Sequence, residues 1–374
     1  MTDRLKITFV LPGPGRFPMG GFKVVYEYAN HLSRRGHQVA VVHAARECSR
    51  ETGPLAHLKN GIRYFQSALD KRYRPDRWFQ VDPNVKLLCV PSLSEKWIPK
   101  GDVILATAWG TAEWVSRYSA DKGTGFYLIQ SLETWSGPED RVYATWKAPL
   151  KKIVIANWLL DIAKGMGEEA VYIPNGLSKD EFQMDIAPEE REPKSVLALY
   201  HKDEVKGSAD LLEALSIVRQ KDTGIRVTLF GVPPRPAFLP TWIEYYQQPQ
   251  RPLLRSLYNR AAIFVSPSRV EGWPLPPAEA MLCGAALVAT DIGGHREYAF
   301  HEKTALLSQA KDPQGLADNI LRLLSDSTLR VRLATRGNEH IQQFTWERAT
   351  DHLESILYEC GSSLPRIIPL RARG

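Results

Sequence analysis

The sequence predicts an α/β protein of two doubly wound domains, each built around a parallel β-sheet. Three observations lead to this prediction. Short apolar stretches alternate with amphipathic helical stretches, the 374 residues exceed what one hydrophobic core usually supports, and a charged, proline-bounded stretch interrupts the series. We therefore expect a first domain at 1–185, a linker at 186–194, a second domain at 195–345 and a C-terminal helix within 346–374.

The first half begins with a strand, a helix and a second strand. The stretches "LKITFVL" (5–11) and "QVAVVH" (38–43) predict buried strands. Between them, apolar residues from Val24 to Leu32 recur at helical spacing, and Gly36 ends the predicted helix. Further strands are expected at 102–107, 125–130 and 152–157, and a Pro-Asn-Gly turn closes this half within 171–177.

The second half repeats the pattern. "SVLALY" (195–200) predicts a strand, and Ser208 is expected to cap the helix that follows it. The remaining expected elements are strands at 225–231, 261–268 and 285–291 and helices at 277–284 and 313–326. In such a sheet, the loops that follow the carboxyl ends of the strands face the ligand-binding crevice.

Composition and charge limit the class of protein. The chain is 44% hydrophobic and 24% charged, which is typical of soluble globular proteins and excludes a fibrous or disordered chain. Lys and Arg exceed Asp and Glu by six, which permits anionic partners such as nucleotides or an anionic membrane surface. The four cysteines lie far apart without a CxxC pair, and the first apolar run is too short for a signal peptide, so we expect a cytoplasmic protein. The cysteines are Cys48, Cys89, Cys283 and Cys360.

Two glutamates frame the loop "SRVEGWPLPPAEAM" (268–281). Glu271 is expected in the loop after a strand and Glu279 in the first turn of a helix that Pro277 opens. Helix N-termini suit phosphates, and carboxylates accept hydrogen bonds from hydroxyl groups, so the pattern favours a nucleotide-sugar ligand. The alternative is that Glu279 only stabilises the helix N-terminus and Glu271 is solvated.

The string "EGWPLPPAEAM" resembles the Glu-x7-Glu signature of the retaining GT-B glycosyltransferases of family four, group 1. The resemblance continues through "DPQGLADNILRLLSD" and "FTWERA" and back to "VYIPNGLSKDEF", so it covers most of 171–350. In the first half it rests on Gly20 and Gly21 and on "LSRRGHQVAVV". It implies a GT-B fold of two Rossmann-like domains facing a central cleft, with the acceptor-side domain first, the donor domain second and the C-terminal helix returning to the first domain.

The resemblance also implies roles for individual residues of the donor domain. Glu279 would hold the ribose hydroxyls, and Glu271 would contact hydroxyls of the donor sugar near the reacting carbon. Backbone amides would line the pocket for the sugar and phosphates at Gly272, Trp273 and Leu275. Pro274 replaces a glycine that is common in the family, which removes one N–H from this loop.

The resemblance implies that the loop "YHKDEVKG" (200–207) supplies the cations that grip the diphosphate. Lys206 matches the lysine of the family pattern, where it would stabilise charge on the leaving diphosphate. His201 stands in place of the usual arginine, so the second charge comes from a protonated His201 or from Lys202, or the grip is weaker.

Gln130 stands where many members of the family have histidine at the end of a strand near the sugar. It can orient a sugar hydroxyl but cannot act as base or nucleophile. The strings "IQ" and "ATAWGTAEW" are similar to rhamnosyltransferase-like members. Gln130 completes the predicted catalytic set with Glu271 and Lys206, and Glu133 is the nearest candidate for an assisting base.

The resemblance implies transfer of a sugar from a nucleoside-diphosphate sugar to a glycan, a lipid-linked saccharide or a small aglycone. Since no carboxylate pair suits a double displacement, we expect same-face displacement with retention. We expect neither a metal ion nor another cofactor, because no cluster of metal-ligating residues is visible. Two alternatives remain open, an epimerase or hydrolase of nucleotide-sugars and a non-catalytic glycan-binding relative.

Other signals are weaker. Pro18 takes the place of the third glycine of a dinucleotide fingerprint, so Gly20 and Gly21 either approach donor phosphates or form a plain turn. The stretch "KRYRPDRWF" (71–79) is expected to be a solvated loop, and no nucleic-acid partner is expected. The aromatic residues Trp109 and Trp135 fit either acceptor stacking or core packing, and we expect structural roles for His37 and His43.

Overall fold

A computed structural model describes residues 4–45, 64, 69–71 and 73–361. Its internal contacts divide the chain into two compact units. The first comprises Met1–Val154, Leu160–Ile173 and Trp346–Gly374, and the second comprises Ile155–Leu159 and Pro174–Thr345. The expectations for Cys48 and for the basic end of the chain lie outside the described residues.

The first unit contains a parallel sheet whose described strands follow the order β3-β2-β1-β4-β5-β6-β7. The strands are β1 Lys6–Leu11, β2 Gln38–Ala44, β3 Lys86–Val90, β4 Val103–Ala106, β5 Thr124–Ile129, β6 Lys151–Val154 and β7 Ala170–Tyr172. The α-helices whose bounds lie within the described residues up to this strand are α1 Gly20–Arg34, α2 Trp109–Val115, α3 Glu139–Trp146 and α4 Asn157–Gly165. Short 3-10 helices lie at Glu95–Trp97 and Ala120–Lys122.

The second unit has a parallel sheet in the order β10-β9-β8-β11-β12-β13. Its strands are β8 Ser195–Leu199, β9 Arg226–Gly231, β10 Ile243–Gln247, β11 Ile263–Ser266, β12 Ala286–Thr290 and β13 Ala305–Ser308. Its α-helices are α5 Ser208–Lys221, α6 Arg251–Arg260, α7 Leu275–Leu282, α8 Pro313–Ser325 and α9 Ser327–Ile341. Short 3-10 helices lie at Pro188–Glu190, Glu204–Lys206 and His295–Glu297.

In both sheets the strand order changes direction at the first strand of the unit, which has its neighbours in sequence on one side and the later strands on the other. In the second unit, β8 lies between β9 and β11, so the loops that follow β8 and β11 emerge side by side. Every residue of β11 and β12 is buried, because helices cover both faces of a parallel sheet. The rigid sheet therefore presents 200–207 and 267–274 together at its carboxyl edge.

The strands that sequence reasoning missed are edge strands. β3 and β7 end the first sheet, and β10 and β13 end the second. β10 has the sequence "IEYYQ" with only its first residue buried, and β3 is half-buried over most of its length. One side of an edge strand is not covered by a neighbour, so its apolar signal is weaker than that of a central strand.

The predicted linker is anchored to the second unit by Arg191, which is 4% exposed. The Arg191 guanidinium donates to the carbonyl oxygens of Ile186, Tyr258, Ala261 and Cys283. Burial lowers its pKa to about 10. The contacts also group 174–185, which we expected in the first domain, with the second unit.

The last described helix, α10 Trp346–Gly361, lies in the first unit and begins where the predicted C-terminal helix begins. It contacts the end of α1 through Arg35, which pairs with Glu354 at 2.6 Å. His37 Nδ1 accepts from the Leu5 N–H at 3.1 Å, so His37 Nε2 carries a proton and donates to Glu354 at 2.7 Å. His37 is therefore structural, as expected. Within the described ranges, no helix is both long enough and apolar enough to cross a membrane.

Candidate active site

The loop after β8 brings Lys206 to the carboxyl edge of the second sheet. Lys206 ends a 3-10 turn, and the next residue, Gly207, has a φ of +66°. A Cβ on Gly207 would lie 2.1 Å from the carbonyl oxygen of Pro267 in the loop after β11. Only glycine permits both this left-handed backbone and this close approach of the two loops.

The prediction that Ser208 caps α5 is wrong. Gly207 is the N-cap and Ser208 is the first helical residue, because the left-handed glycine lets the helix begin directly after the turn. The Ser208 hydroxyl oxygen instead accepts the backbone N–H of His201 at 2.9 Å. The contact folds the loop back on the start of the helix.

His201 lies half-buried in this loop, and Lys202 is exposed beside it. His201 Nδ1 accepts the N–H of Asp203 at 3.0 Å. Burial, and secondly the charge of Lys206, lower the pKa of His201. Acceptance of an N–H at Nδ1 and the burial that disfavours the charged ring both make His201 a poor second cation for this loop.

Lys206 and Glu271 form a two-pronged contact. Lys206 Nζ lies 2.7 Å from Oε1 and 2.8 Å from Oε2 of Glu271. The hydroxyl of Ser268 donates to Oε1 of the same carboxylate at 2.9 Å. The structure thus brings two of the three predicted catalytic residues together, although 65 positions separate them along the chain.

Arg269 ties the Glu271 loop to the Lys206 loop. Its N–H donates to the carbonyl oxygen of Val205 at 2.7 Å, and its guanidinium makes two contacts of 2.9 Å with Asp210. The side chains of Arg269 and Asp210 are only 17% and 11% exposed. A paired and hydrogen-bonded arginine of this kind holds its neighbours in one arrangement.

Glu279 lies on α7 and is 5% exposed. The hydroxyl of Tyr258 donates to Glu279 Oε2 at 3.1 Å. The expected position in the first turn is wrong, because α7 begins at Leu275 and Glu279 follows in the second turn. Prolines are tolerated in the first turn of a helix, since its N–H groups have no intrahelical partner.

The N-terminus of α7 offers few hydrogen-bond donors. Pro274, Pro276 and Pro277 lack an N–H, so Leu275 carries the one N–H of these four positions. The phosphate site expected at this helix end must therefore depend on other donors in addition to Leu275.

Gly272 and Trp273 join the loop to the core of the second unit. The carbonyl oxygen of Gly272 accepts the indole N–H of Trp158 at 3.1 Å. The Trp273 ring is 4% exposed and packs against the rings of Tyr298 and Phe344, with centroids 4.9 and 5.6 Å away. The Trp273 side chain therefore serves packing, and the role of its backbone amide stays a prediction.

A buried histidine that sequence reasoning did not single out supports the same loop. His295 is fully buried, and its Nδ1 donates to the carbonyl oxygen of Thr290 at 2.7 Å while its Nε2 accepts from Ser266 at 2.8 Å. Burial lowers the pKa of His295 to about 4. The hydroxyl of Thr290 in turn donates to the carbonyl oxygen of Ser268.

In the first unit, Gln130 connects two loops at the carboxyl edge of the sheet. Its Nε2 donates to the carbonyl oxygens of Gly21 at 3.2 Å and Thr107 at 3.4 Å. Gly20 and Gly21 open α1, and a Cβ on Gly20 would meet open space. The geometry assigns Gln130 a contact with the glycine loop, while its action on a sugar stays a prediction.

Glu133 follows Gln130 in a strained turn with a φ of +58°. Its Oε2 accepts the N–H of Trp109 at 2.8 Å, and burial raises its pKa to about 7. Trp109 is 3% exposed and belongs to the core, whereas Trp135 is 46% exposed. Of the two tryptophans expected near strand ends, only Trp135 is accessible to a ligand.

The described residues of 71–79 form a loop, as expected, with Lys71, Asp76 and Arg77 exposed, but the aromatic residues at its end are not solvated. Phe79 is 4% exposed, and Trp78 donates its indole N–H to the carbonyl oxygen of Gly15 at 2.7 Å. Both rings pack against Tyr26. His43 is buried next to this cluster, as its expected structural role requires, and burial lowers its pKa to about 4. The interleaved aromatic residues therefore serve the core.

In the part of the chain that the structure describes, His, Cys, Asp and Glu side chains form no group of three that could hold a metal ion. Cys89 and Cys283 are free thiols. The absence of a metal requirement stays a prediction.

Comparison with known families finds a match within the second unit. Residues 195–326 match the family model "Glycosyl transferases group 1". The chain is 32% identical over 168 residues to a D-inositol 3-phosphate glycosyltransferase of Corynebacterium urealyticum, covering 41% of this chain and 40% of the relative. It is 28% identical over 199 residues to a phosphatidyl-myo-inositol mannosyltransferase of Mycobacterium tuberculosis, covering 49% of this chain and 52% of the relative. The chain thus spans about half or less of the length of these relatives.

Solved structures share the fold over nearly the whole chain. The sucrose-phosphate synthase of Thermosynechococcus elongatus matches with a TM-score of 0.73 at 18% identity, covering 95% of this chain and 99% of the other. Anabaena HepE in complex with UDP and glucose matches with a TM-score of 0.71 at 14% identity, covering 95% and 100%. The predicted fold class, two parallel-sheet Rossmann-like domains of GT-B type, is confirmed.

Proposed function

We propose, from the group 1 glycosyltransferase sequence of residues 195–326, that this protein is a retaining glycosyltransferase that uses a nucleoside-diphosphate sugar. The observation that carries the proposal lies inside this segment. Lys206 Nζ contacts both carboxylate oxygens of Glu271, at 2.7 and 2.8 Å, where the loops after two neighbouring strands meet. A cation and a carboxylate at this edge suit a ligand that combines phosphates with hydroxyl groups.

The residues of the site divide the chemistry between them. Lys206 stabilises the negative charge that builds on the leaving diphosphate, and Glu271 accepts hydrogen bonds from hydroxyls of the donor sugar. Glu279 accepts hydrogen bonds from the ribose, with Tyr258 fixing its orientation. The leaving phosphate oxygen takes the proton of the acceptor hydroxyl, so the sugar is transferred on the face from which the diphosphate departs.

The names of the relatives guide the choice of substrates. The HepE structure holds UDP and glucose, and two curated relatives are named for transfer to inositol 3-phosphate and to phosphatidyl-myo-inositol. We extend the proposal to transfer of a hexose or deoxyhexose, rhamnose included, to a saccharide, a lipid-linked acceptor or a small aglycone, without a metal ion. The excess of six positive charges supports contact with an anionic membrane surface.

The test is calorimetric binding of UDP, GDP, ADP and dTDP to the purified protein in the absence of divalent metal ions. We expect one nucleotide to bind selectively and Glu279→Ala to weaken this binding at least tenfold. A matched control is Glu213→Ala, which removes an exposed carboxylate from α5. Failure of all four nucleotides to bind, or equal affinities in Glu279→Ala and wild type, would contradict the proposal.

A further inference from the structure

The contact between Lys206 and Glu271 is built into the scaffold. The side chains are 29% and 15% exposed, and both carboxylate oxygens take part. Exposed ion pairs between long side chains are usually weak because holding both chains costs entropy. Here the loops themselves are held together, by the N–H of Arg269 on the carbonyl oxygen of Val205 and by the approach of Gly207 to Pro267. The backbone contacts between the two loops thus bring the Lys206 and Glu271 side chains together.

Glu271 has a second anchor that does not involve Lys206. Ser268 is 5% exposed, and its hydroxyl donates to Glu271 Oε1 at 2.9 Å. The carbonyl oxygen of Ser268 accepts the hydroxyl of Thr290, which fixes the serine in place. Loss of Lys206 as a partner would therefore leave the carboxylate hydrogen-bonded and oriented.

A diphosphate and the Glu271 carboxylate compete for the same ammonium group. Lys206 carries one positive charge, and Glu271 already neutralises it at hydrogen-bond distance. In the free site His201 is a poor second cation, since its Nδ1 accepts the N–H of Asp203 and burial, and secondly Lys206, lower its pKa. Lys202 is exposed and separated from Lys206 by the 3-10 turn. The ammonium group has three N–H donors, and two of them point at Glu271, so a diphosphate that binds through these two replaces the contact with Glu271.

We propose that Glu271 is the counter-ion of Lys206 that a nucleoside diphosphate displaces, so Glu271 opposes nucleotide binding and determines which ligands enter the site. The inference rests on the proposed function. A ligand with one weak negative charge does not compete with a carboxylate held at two oxygens, whereas a diphosphate does. Displacement frees the oxygens of Glu271 for the sugar hydroxyls, while Ser268 keeps the carboxylate in place.

The experiment measures the dissociation constant of UDP, GDP, ADP or dTDP, whichever binds wild type, by calorimetry. Glu271→Gln should bind this nucleotide about tenfold more tightly than wild type, because Lys206 no longer has a competing anion. The matched control is Glu204→Gln, which removes one negative charge from the same loop at a side chain that is 85% exposed and pairs with Arg269. The control should stay within about twofold of wild type.

A double-mutant cycle separates the ion pair from a general effect of charge. In a Lys206→Met background, the change Glu271→Gln should alter nucleotide affinity by less than about twofold. Glu271→Ala, measured in parallel, should bind at least as tightly as wild type. Circular dichroism and thermal unfolding establish that each variant is folded.

Three results would overturn the inference. The first is that both Glu271 variants bind the nucleotide with the affinity of wild type or more weakly. The second is that Glu204→Gln increases the affinity as much as Glu271→Gln does. The third is that Glu271→Gln increases the affinity equally in the Lys206→Met background. In each of these cases wild type still binds the nucleotide, so the proposed function stands. If wild type binds none of the four nucleotides, the proposed function fails together with the inference.

Discussion

Replacing Glu133 by glutamine should stabilise the protein above neutral pH. Burial raises the pKa of this carboxyl group from 4.5 to about 7, and the N–H of Trp109 opposes the shift only in part. Between pH 4.5 and about 7 the folded protein binds more protons than the unfolded chain. The contribution of Glu133 to the free energy of unfolding is therefore complete below pH 4.5 and is lost as the pH rises through about 7. Glutamine resembles the protonated acid and does not lose this stability.

The pKa difference sets the magnitude. A shift from 4.5 to about 7 corresponds to about 3 kcal/mol of unfolding free energy at pH 8. Glu133 is partly exposed, so solvent screening reduces the expected gain to about 2 kcal/mol. For a unit of this size, such a gain raises the melting temperature by about 4 to 8 °C.

The assay is differential scanning calorimetry of wild type and Glu133→Gln at pH 4.5 and at pH 8. The melting temperatures should nearly coincide at the lower pH, and the variant should melt higher at pH 8. Glu169→Gln, at an exposed position before β7, is the matched control and should show no such pH dependence. A variant no more stable than wild type at pH 8, or an equal shift in the control, would refute the reasoning.

Two further predictions concern single contacts. Tyr258→Phe removes the buried hydroxyl that donates to Glu279 at 3.1 Å, so urea unfolding should show a loss of about 1 to 2 kcal/mol and calorimetry a several-fold weaker affinity for the preferred nucleotide. An unchanged affinity for this nucleotide would show that the Tyr258 hydroxyl does not support nucleotide binding. Gly207→Ala would place a Cβ 2.1 Å from the Pro267 carbonyl oxygen at a φ of +66°. The control, Gly167→Ala, has a φ of +74° with open space around it and should lower the free energy of unfolding by roughly 1 kcal/mol. Gly207→Ala should lower it by well over that amount. Equal losses in thermal unfolding would disprove the close approach of the two loops.

Central secondary structure was predictable because its signals are local. β1, α1 and β11 showed their apolar residues at the period of a strand or a helix, and burial in a parallel sheet leaves those runs almost wholly apolar. The edge strands β3 and β10 were missed because one side of each lacks a neighbour. Arg191 was expected in a linker, because composition does not show which arginine finds four carbonyl oxygens to bind.

For the candidate site, the amino-acid sequence by itself determined which residue types follow the strands of the second sheet. Glu271 and Glu279 stood out by their spacing, and Lys206 by its match to the lysine of the family pattern. Only the tertiary structure decided that Lys206 touches Glu271, that Ser208 binds the backbone of His201 instead of capping its helix, and that Glu279 lies in the second helical turn. The physical reason is that periodicity and capping act within a few residues. A contact across 65 positions depends on which strands pair and how closely a glycine lets their loops approach.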